Sequence, residues 1–109
     1  MKPVNLSDIE PRDVVPGFKA RFVHSSTMTL AFWDAKAGNE LSSHSHPHEQ
    51  IAHVIEGEFK FILAGKAMMM KAGDLLVVPP HAVHSGQAVT DCRLLDIFHP
   101  VREDYRKNG

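Results

Sequence analysis

Cysteine, long apolar runs and an excess of charge of one sign are all scarce in this sequence of 109 residues. Cys92 is the single cysteine, which excludes an internal disulfide and fits a reducing compartment. The formal net charge is -1, so the chain lacks the basic surface that recruits nucleic acid or anionic lipid. No apolar run approaches the ~20 residues of a membrane span, and no signal-peptide pattern opens the chain. These absences predict a soluble cytoplasmic protein with no nucleic-acid or membrane partner.

Sustained helical periodicity is also absent, and short strand patterns take its place. Residues 1–17 contain prolines, a glycine and scattered charges, and predict an N-terminal arm with at most a short edge strand. Residues 18–98 contain many short strand patterns with Gly and Pro at the joints, which is typical of an all-β antiparallel barrel or jelly roll. Residues 99–109 form a polar C-terminal tail. A chain of this length supports a single domain.

Histidine is the compositional outlier, with eight residues that concentrate between His44 and His84. His44 and His46 are two residues apart, so on an extended segment both imidazoles face the same side. Gln50 has the same parity if the strand continues without a bulge, and His84 is the candidate fourth ligand of a divalent metal site. The alternative is that these histidines are solvated residues of a polar turn. His48 is expected to be solvated or to support the ligands.

The last predicted strand places a carboxylate among apolar residues. Leu94, Asp96 and Phe98 share one face by the two-residue period of a strand. If that face is the barrel interior, burial raises the pKa of Asp96 and makes it a candidate general acid or base. The opposite register would expose Asp96 and bury Leu95 and Ile97. The pattern alone does not decide, because apolar residues occupy both faces.

The segment 51–55 is likewise apolar on both faces except at one histidine, which is typical of a strand covered on both sides.

Two spaced motifs resemble those of the cupin superfamily. The first consists of Gly38, His44, His46, Gln50 and Gly57. The second consists of Gly73, Pro79, His81 and His84. Gln50 stands where the family usually has Glu, His81 where Gly is commoner and Ala88 where Asn is commoner. The resemblance implies an antiparallel double-stranded β-helix, the jelly-roll cupin barrel, with a metal ion bound by His44, His46, Gln50 and His84.

The implied ligand set carries no charge. Three imidazoles and an amide leave a divalent ion its full +2 charge, which makes it a stronger Lewis acid than it is beside a carboxylate ligand. An amide is also a weaker ligand, so metal identity is loosely specified, and nickel, zinc, iron, cobalt or manganese all suit the set. We expect metal loading to fail as the imidazoles protonate below their ordinary pKa of about 6.5.

A narrower resemblance covers residues 44–50 and 96–104 together. These segments are similar to the small pectin-degradation cupins, which linearise the unsaturated uronates that polysaccharide lyases release. The resemblance implies that Asp96, Phe98 and Arg102 surround the metal, with Asp96 as the catalytic proton carrier and the other two as substrate-binding residues. It therefore implies a metal-dependent enzyme that opens and ketonises cyclic 4,5-unsaturated uronates, small sugar acids derived from pectin or alginate.

Details of the substrate contacts stay open. His81 follows two prolines near the predicted barrel mouth and is a further candidate for contact with the substrate. His99 and Val101 depart from the pattern expected of the pectin-degradation cupins, which leaves the docking of the tail undecided.

Two rival functions use the same ligands. A metal-dependent cupin dioxygenase would consume oxygen, whereas linearisation needs none. A non-catalytic cupin that binds a sugar or small acid would be stabilised by its ligand without turnover. A homodimer is expected in each case, because open sheet edges invite pairing and small cupins are commonly dimers.

Overall fold

The computed structural model describes residues 2–107, so Met1 of the predicted arm and the last two residues of the predicted tail lie outside it. The strands are β1 Arg12–Val15, β2 Phe18–His24, β3 Thr29–Ala35, β4 Glu40–His44, β5 Glu49–Glu56, β6 Glu58–Leu63, β7 Lys66–Lys71, β8 Leu75–Val78, β9 His84–Ala88 and β10 Cys92–His99. The helical elements are a 3-10 helix, Leu6–Asp8, and the α-helix α1, Glu103–Lys107. No helix in residues 2–107 is long and apolar enough to cross a membrane.

The strands form two antiparallel sheets. One has six strands in the order β1-β2-β3-β10-β5-β8, and the other has four in the order β4-β9-β6-β7. Consecutive strands repeatedly change sheet, as β4 and β5 do, so the chain winds around a common core. This arrangement confirms the predicted all-β, double-stranded β-helix in a single domain.

Buried and exposed side chains alternate along the strands, and this alternation explains how the two sheets pack against each other. In β6, Phe59 and Phe61 are buried while Glu58 and Lys60 are exposed, as the alternating sequence predicts. Gly57 turns β5 into β6 with a φ of +89°, and a Cβ there would lie 2.3 Å from the carbonyl oxygen of Asp91. Only glycine satisfies both conditions.

The core lies between the sheets and contains a cavity of about 280 Å³. Phe18 is buried in this core, and the buried side chains of Trp33 and Phe59 also line the cavity. Alanines occupy several inward positions of the larger sheet, among them Ala31 and Ala52. Their small side chains keep space open between the sheets.

The described segments before β2 and after β10 both attach to the barrel. Within the predicted arm, β1 pairs with β2 as the edge of the larger sheet, in agreement with the short edge strand expected there. In the tail, Tyr105 of α1 stacks on Phe22 with ring centroids 4.5 Å apart. The tail is thus helical over one turn, too short to show a periodic pattern. The boundaries at residues 18 and 98 stay a prediction.

The outer face of the larger sheet differs from expectation. Residues 51–55 predicted a strand covered on both sides, but Ile55 is 40% exposed and Ile51 and His53 are only half-buried. At the β2 border of this face, Nε of Arg21 donates to the carbonyl oxygen of Ile9 in the N-terminal segment over 3.0 Å.

Candidate metal centre and cavity

Two groups of side chains meet at the cavity. We call His44, His46, Gln50 and His84 the histidine cluster, and Asp96, Phe98, Arg102 and Tyr105 the carboxylate wall. Both groups contribute to the cavity lining, the first through His44, Gln50 and His84, and the second through all four residues.

The histidine cluster forms where the two sheets meet. His44 is the last residue of β4 and lies opposite His84, the first residue of β9. His46 lies in the connection to β5, and Gln50 is in β5 itself, in the other sheet. The condition under which parity placed Gln50 on the same face, a continuous strand from His44, is not met, because the chain changes sheet between them. Convergence comes from this corner and not from strand parity.

The three imidazoles lie close enough to share one ion. Their ring centroids are 4.2 Å apart for His44 and His84, 4.8 Å for His46 and His84, and 5.9 Å for His44 and His46. One nitrogen from each ring lies within 4.8 Å of the other two. These three histidines could therefore hold a metal ion.

Backbone carbonyls orient each ring. The Nδ1 atoms lie 2.7 Å from the Ser42 oxygen for His44, 3.0 Å from the His48 oxygen for His46, and 2.8 Å from the Ala82 oxygen for His84. A carbonyl only accepts, so each Nδ1 carries the hydrogen and donates it. Each Nε2 is left with its lone pair, the form that binds metals, and such carbonyl partners are characteristic of metal-ligating histidines.

Buried lone pairs within the cluster support this assignment. His84 is 4% exposed, and its Nε2 has no hydrogen-bond partner among the described residues. Gln50 donates from Nε2 to Oδ1 of Asp96 over 2.9 Å, which turns its Oε1 toward Nε2 of His46 at 3.1 Å. With Nδ1 as the donor of neutral His46, two acceptor atoms then face each other. A cation shared between them resolves this conflict.

Protonation of His46 is the other resolution, and the surroundings oppose it. Burial, followed by the positive charge of Arg102 and by His84, lowers the pKa of His46 to about 4. Burial also lowers the pKa of His84. At neutral pH both rings are therefore uncharged, and each has an Nε2 lone pair that can bind a metal. The residues present fit a divalent metal ion.

Other histidines lie around the cluster without joining it. His48 is half-buried and contributes its carbonyl oxygen to His46, while burial lowers its own pKa. His81 is exposed, and its side chain is not among those that line the cavity. Its backbone N–H donates to the carbonyl of His46 over 2.8 Å, and its φ of +67° explains why glycine is commoner there. The predicted contact between His81 and substrate stays a prediction.

Asp96 lies on the inward face of β10. Its neighbours in the strand, Leu94 and Phe98, are buried, and its cross-strand partners are Ala31 and Ala52. The two alanines leave room beside the carboxyl group, which lines the cavity and is half-buried. The first of the two registers considered from the sequence is thus the one adopted.

Burial changes the chemistry of Asp96. It raises the pKa of the carboxyl group to about 6, although the hydrogen bond from Gln50 and the charge of Arg102 act in the opposite direction. A carboxyl group with this pKa both releases and accepts protons near neutral pH. Through Gln50 it is also hydrogen-bonded to the histidine cluster.

Arg102 completes the carboxylate wall. Its side chain is 11% exposed, and the guanidinium carbon lies 4.7 Å from the centroid of the Phe98 ring and 4.2 Å from that of Tyr105. Nε and Nη2 donate to Asp104 over 2.9 and 2.7 Å. One side of the guanidinium fork is therefore already engaged by a carboxylate of α1, while Nη1 remains for a further acceptor.

Sequence reasoning missed one residue of this wall, Tyr105, and also Asp104, which pairs with Arg102. Both lie in the predicted polar tail, where a single aromatic residue gave no periodic signal. The carbonyl oxygen of Tyr105 accepts from Nη2 of Arg12 over 2.9 Å, and the backbone N–H of Arg102 donates to Oγ1 of Thr29. The one sequence signal that could have indicated docking of the tail is Tyr105, an aromatic residue within a charged segment.

Comparisons with known proteins agree with this geometry. Residues 31–98 match the family described as a cupin domain. KdgF from Halomonas sp. superimposes with a TM-score of 0.86 at 28% identity, covering 91% of this chain and 93% of that one. An RmlC-like cupin from Shewanella frigidimarina NCIMB 400 gives a TM-score of 0.87 at 32% identity, covering 91% and 90%.

A curated relative adds a sequence match. The pectin degradation protein KdgF of Dickeya dadantii (strain 3937) is 31% identical over 64 residues, which are 57% of this chain and 58% of the relative. The chain thus spans less than two thirds of that protein. Salicylate 1,2-dioxygenase from Pseudoaminobacter salicylatoxidans, at 24% identity and a TM-score of 0.76 over 79% of this chain and 26% of that one, shares the fold. Because the family match covers more than half of its length, the chain belongs to the cupin family.

Proposed function

We propose that this cupin is a metal-dependent enzyme of pectin or alginate breakdown that converts cyclic 4,5-unsaturated uronates into linear, ketonised sugars. The observation that carries the proposal is the hydrogen bond between Asp96 and Gln50, which joins a proton carrier to the histidine cluster. The similarity to two KdgF proteins, one described as a pectin degradation protein, supports the choice of substrate.

The histidine cluster would hold the ion. Its three Nε2 atoms and the Oε1 atom of Gln50 are neutral donors, and nickel, zinc, iron, cobalt and manganese all accept such a set. A divalent ion bound there would polarise substrate oxygens and stabilise negative charge that develops on an enolate. The histidine rings themselves stay oriented by their carbonyl partners throughout.

Asp96 would move the proton. In the cyclic substrate, the ring oxygen joins the hemiacetal carbon to one end of a double bond. Asp96, ionised, accepts the proton of the hemiacetal hydroxyl as the ring carbon–oxygen bond breaks, which gives an aldehyde and an enolate. It then returns a proton to carbon four, and the enolate becomes a ketone. The reaction is an isomerisation, so atoms balance without an oxidant, and a pKa of about 6 suits both transfers.

Arg102 and Phe98 would bind the sugar. The free Nη1 side of the Arg102 guanidinium offers a charged donor for the substrate carboxylate. The buried Phe98 ring gives the apolar surface beside it. His81, on the exposed turn after β8, would contact the substrate from outside the cavity. The protein would act in the cytoplasm as a homodimer.

Ultraviolet absorbance tests the proposal, because the conjugated double bond of an unsaturated monouronate is lost on ketonisation. We expect rapid decay with the metal-loaded wild type and decay at the rate without enzyme for Asp96→Ala. Asp13→Ala, an exposed carboxylate on β1, is the matched control and should retain full activity.

The rival functions predict other results. Equal decay with wild type, with Asp96→Ala and without enzyme would end the proposal. Oxygen uptake by the loaded protein would favour a dioxygenase, for which the present similarity shows the fold alone. Thermal stabilisation by the uronate without decay would favour a binding protein.

A further inference from the structure

Trp33, the single tryptophan of the chain, lies in β3 and lines the cavity. It is 4% exposed, and Nε1 of its indole has no hydrogen-bond partner among the described residues. A buried N–H without an acceptor costs free energy, and the indole N–H of a buried tryptophan usually finds a partner. The N–H of Trp33 is therefore available to an acceptor that enters the cavity.

The indole lies beside the carboxyl group of Asp96. Trp33 pairs with Leu94 of β10, two residues before Asp96, so Trp33 and Asp96 are diagonal neighbours on the inward face. Diagonal neighbours are roughly 7–8 Å apart, a distance that an aromatic side chain spans. Burial raises the pKa of Asp96, and Gln50 followed by the Trp33 indole opposes that rise. The N–H thus faces the carboxyl group without reaching it in the geometry of a hydrogen bond.

Three aromatic rings restrict the direction of the indole. The ring centroids of Phe18, Phe22 and Tyr105 lie 6.2, 6.0 and 6.3 Å from that of Trp33, at interplanar angles of 79°, 83° and 75°. Such edge-to-face packing is a favourable arrangement of aromatic side chains. Tyr105 also packs on the guanidinium group of Arg102, whose carbon lies 4.2 Å from the tyrosine centroid. One tyrosine ring therefore packs against two donors, the indole N–H and the guanidinium.

A cyclic uronate matches this pair of donors. The carbon that bears its hemiacetal hydroxyl and the carbon that bears its carboxylate are both bonded to the ring oxygen, so the two groups lie at one edge of the sugar. Under the proposed function, Arg102 binds the carboxylate and Asp96 accepts the hydroxyl proton. A hydroxyl that donates its proton still has lone pairs that accept a hydrogen bond. These lone pairs are an acceptor of the kind that the N–H of Trp33 lacks.

We infer, on the basis of the proposed function, that the indole N–H of Trp33 donates to the hemiacetal oxygen of the substrate while the same hydroxyl donates to Asp96. Trp33 is then a substrate-binding residue that selects sugar acids with a free hemiacetal hydroxyl. A sugar without this oxygen would leave two buried polar groups unpaired, which is a strong basis for discrimination.

Replacement of the N–H alone tests this contact. Because the chain has one tryptophan, expression in a tryptophan auxotroph supplied with 3-benzothienylalanine, in which sulfur replaces the indole N–H, changes position 33 and no other. The analogue keeps the bicyclic ring that packs on its aromatic neighbours. The matched control is the protein labelled with 4-fluorotryptophan, which retains the N–H. Circular dichroism checks the folding of both, and Trp33→Phe gives a second protein without the donor.

Calorimetry with galacturonate measures binding apart from turnover, because this saturated uronate has the hemiacetal hydroxyl and the carboxylate but no double bond. The metal-loaded benzothienyl protein should bind it about fivefold more weakly than the 4-fluorotryptophan protein, as expected for the loss of one hydrogen bond. With an unsaturated monouronate, KM should rise by about the same factor at nearly constant kcat, because the bond is present in both the bound substrate and the transition state.

Equal affinities of the two labelled proteins for galacturonate, or no binding of galacturonate by the unlabelled protein, would overturn the inference. A lower kcat at constant KM would also overturn it, since the N–H would then act on Asp96 and not on the sugar. Failure of the proposed function has a different signature. Weaker galacturonate binding by the benzothienyl protein, without any decay of ultraviolet absorbance by the unlabelled protein, would exclude the reaction and retain the contact.

Discussion

The two sides of the cavity are built in different ways. In the histidine cluster, each ring is fixed by a carbonyl only two residues away, as for His44 with Ser42 and His84 with Ala82. The carboxylate wall depends on distant contacts, such as Asp96 with Gln50 across 46 positions and Arg102 with Thr29 across 73. The ring orientations in the histidine cluster are therefore locally specified, whereas the convergence of the rings and the whole of the carboxylate wall depend on closure of the barrel.

The two sides also differ in charge. In the histidine cluster, burial lowers the pKa of His46 and His84, which favours the neutral form of both rings. The carboxylate wall contains Asp96, with a raised pKa, and Arg102, which is paired with Asp104. A neutral ligand set leaves the charge of an ion undiminished, and a carboxyl group close to its titration point can exchange a proton beside it. Under the proposed function, electrostatic stabilisation and proton transfer are therefore assigned to two different groups of side chains.

Removing the three imidazoles of the histidine cluster should have the largest effect on metal binding and activity. Substitution of His44, His46 and His84 together by alanine should abolish stoichiometric metal binding and turnover, since it removes three of four donors. Metal analysis of protein purified without a chelating column measures the loss. His24→Ala, half-buried and remote in the sequence from the cluster, is the control.

Unchanged metal content in the triple variant would show that the ion is bound elsewhere or not at all. Because His84 stacks on Phe61, with centroids 5.9 Å apart, the variant also needs a check of its folding by circular dichroism. A folded, metal-free triple variant is the expected result.

The histidine cluster was accessible from the sequence, and the reason is instructive. Spacing and family motifs selected the four donors, but the supposed continuous strand does not exist, because β4 and β5 belong to different sheets. The motif was informative because its residues span the connection by which the chain passes from one sheet to the other. Strand parity alone gave His44, His46 and Gln50, but for a different reason, and it did not give His84.

The carboxylate wall was less accessible. Apolar residues on both faces of β10 left the register of Asp96 undecided, because the outward residues Leu95 and Ile97 are apolar as well as the buried Leu94 and Phe98. The docking of the tail depends on Tyr105 and its stack on Phe22, a contact across most of the sequence. Long-range contacts of this kind leave no local pattern.

A second prediction concerns the cost of burying Asp96. In the metal-free protein its pKa is about 6 against an ordinary 3.8, so the folded state holds a proton that the unfolded state releases between these values. Stability from this group is therefore complete below pH 3.8 and is lost as the pH rises through 6. Asp96→Asn cannot ionise, so it does not lose this stability at high pH. The variant should therefore have a free energy of unfolding roughly 2–3 kcal/mol above that of wild type above pH 6.

Chemical denaturation of both proteins at pH 4 and pH 7.5 measures the difference. The two free energies of unfolding should be nearly equal at pH 4 and should separate at pH 7.5, where only the wild type contains a buried carboxylate. Asp13→Asn, exposed on β1, controls for the loss of a carboxylate in general. A wild type that is more stable than Asp96→Asn at pH 7.5 would mean that the ionised carboxylate is well compensated in the fold.

The smallest effect is expected at the link between α1 and the carboxylate wall. Asp104 engages Nε and Nη2 of Arg102, so under the proposed function it competes with the substrate carboxylate for the guanidinium. Asp104→Asn should lower KM severalfold with little change in kcat, because the gain applies equally to the bound substrate and the transition state. The side chain of Asp104 is 56% exposed, which limits the gain through screening.

Steady-state kinetics with an unsaturated monouronate measure this change, with Glu103→Gln as the control, since Glu103 pairs with Arg106 and not with Arg102. A higher KM in Asp104→Asn would reverse the interpretation. Asp104 would then position the guanidinium between Phe98 and Tyr105 for the substrate, and the tail would be a support for the site and not a competitor. In either case, the sign of the change in KM decides whether the Asp104 carboxylate strengthens or weakens binding of the sugar carboxylate to Arg102.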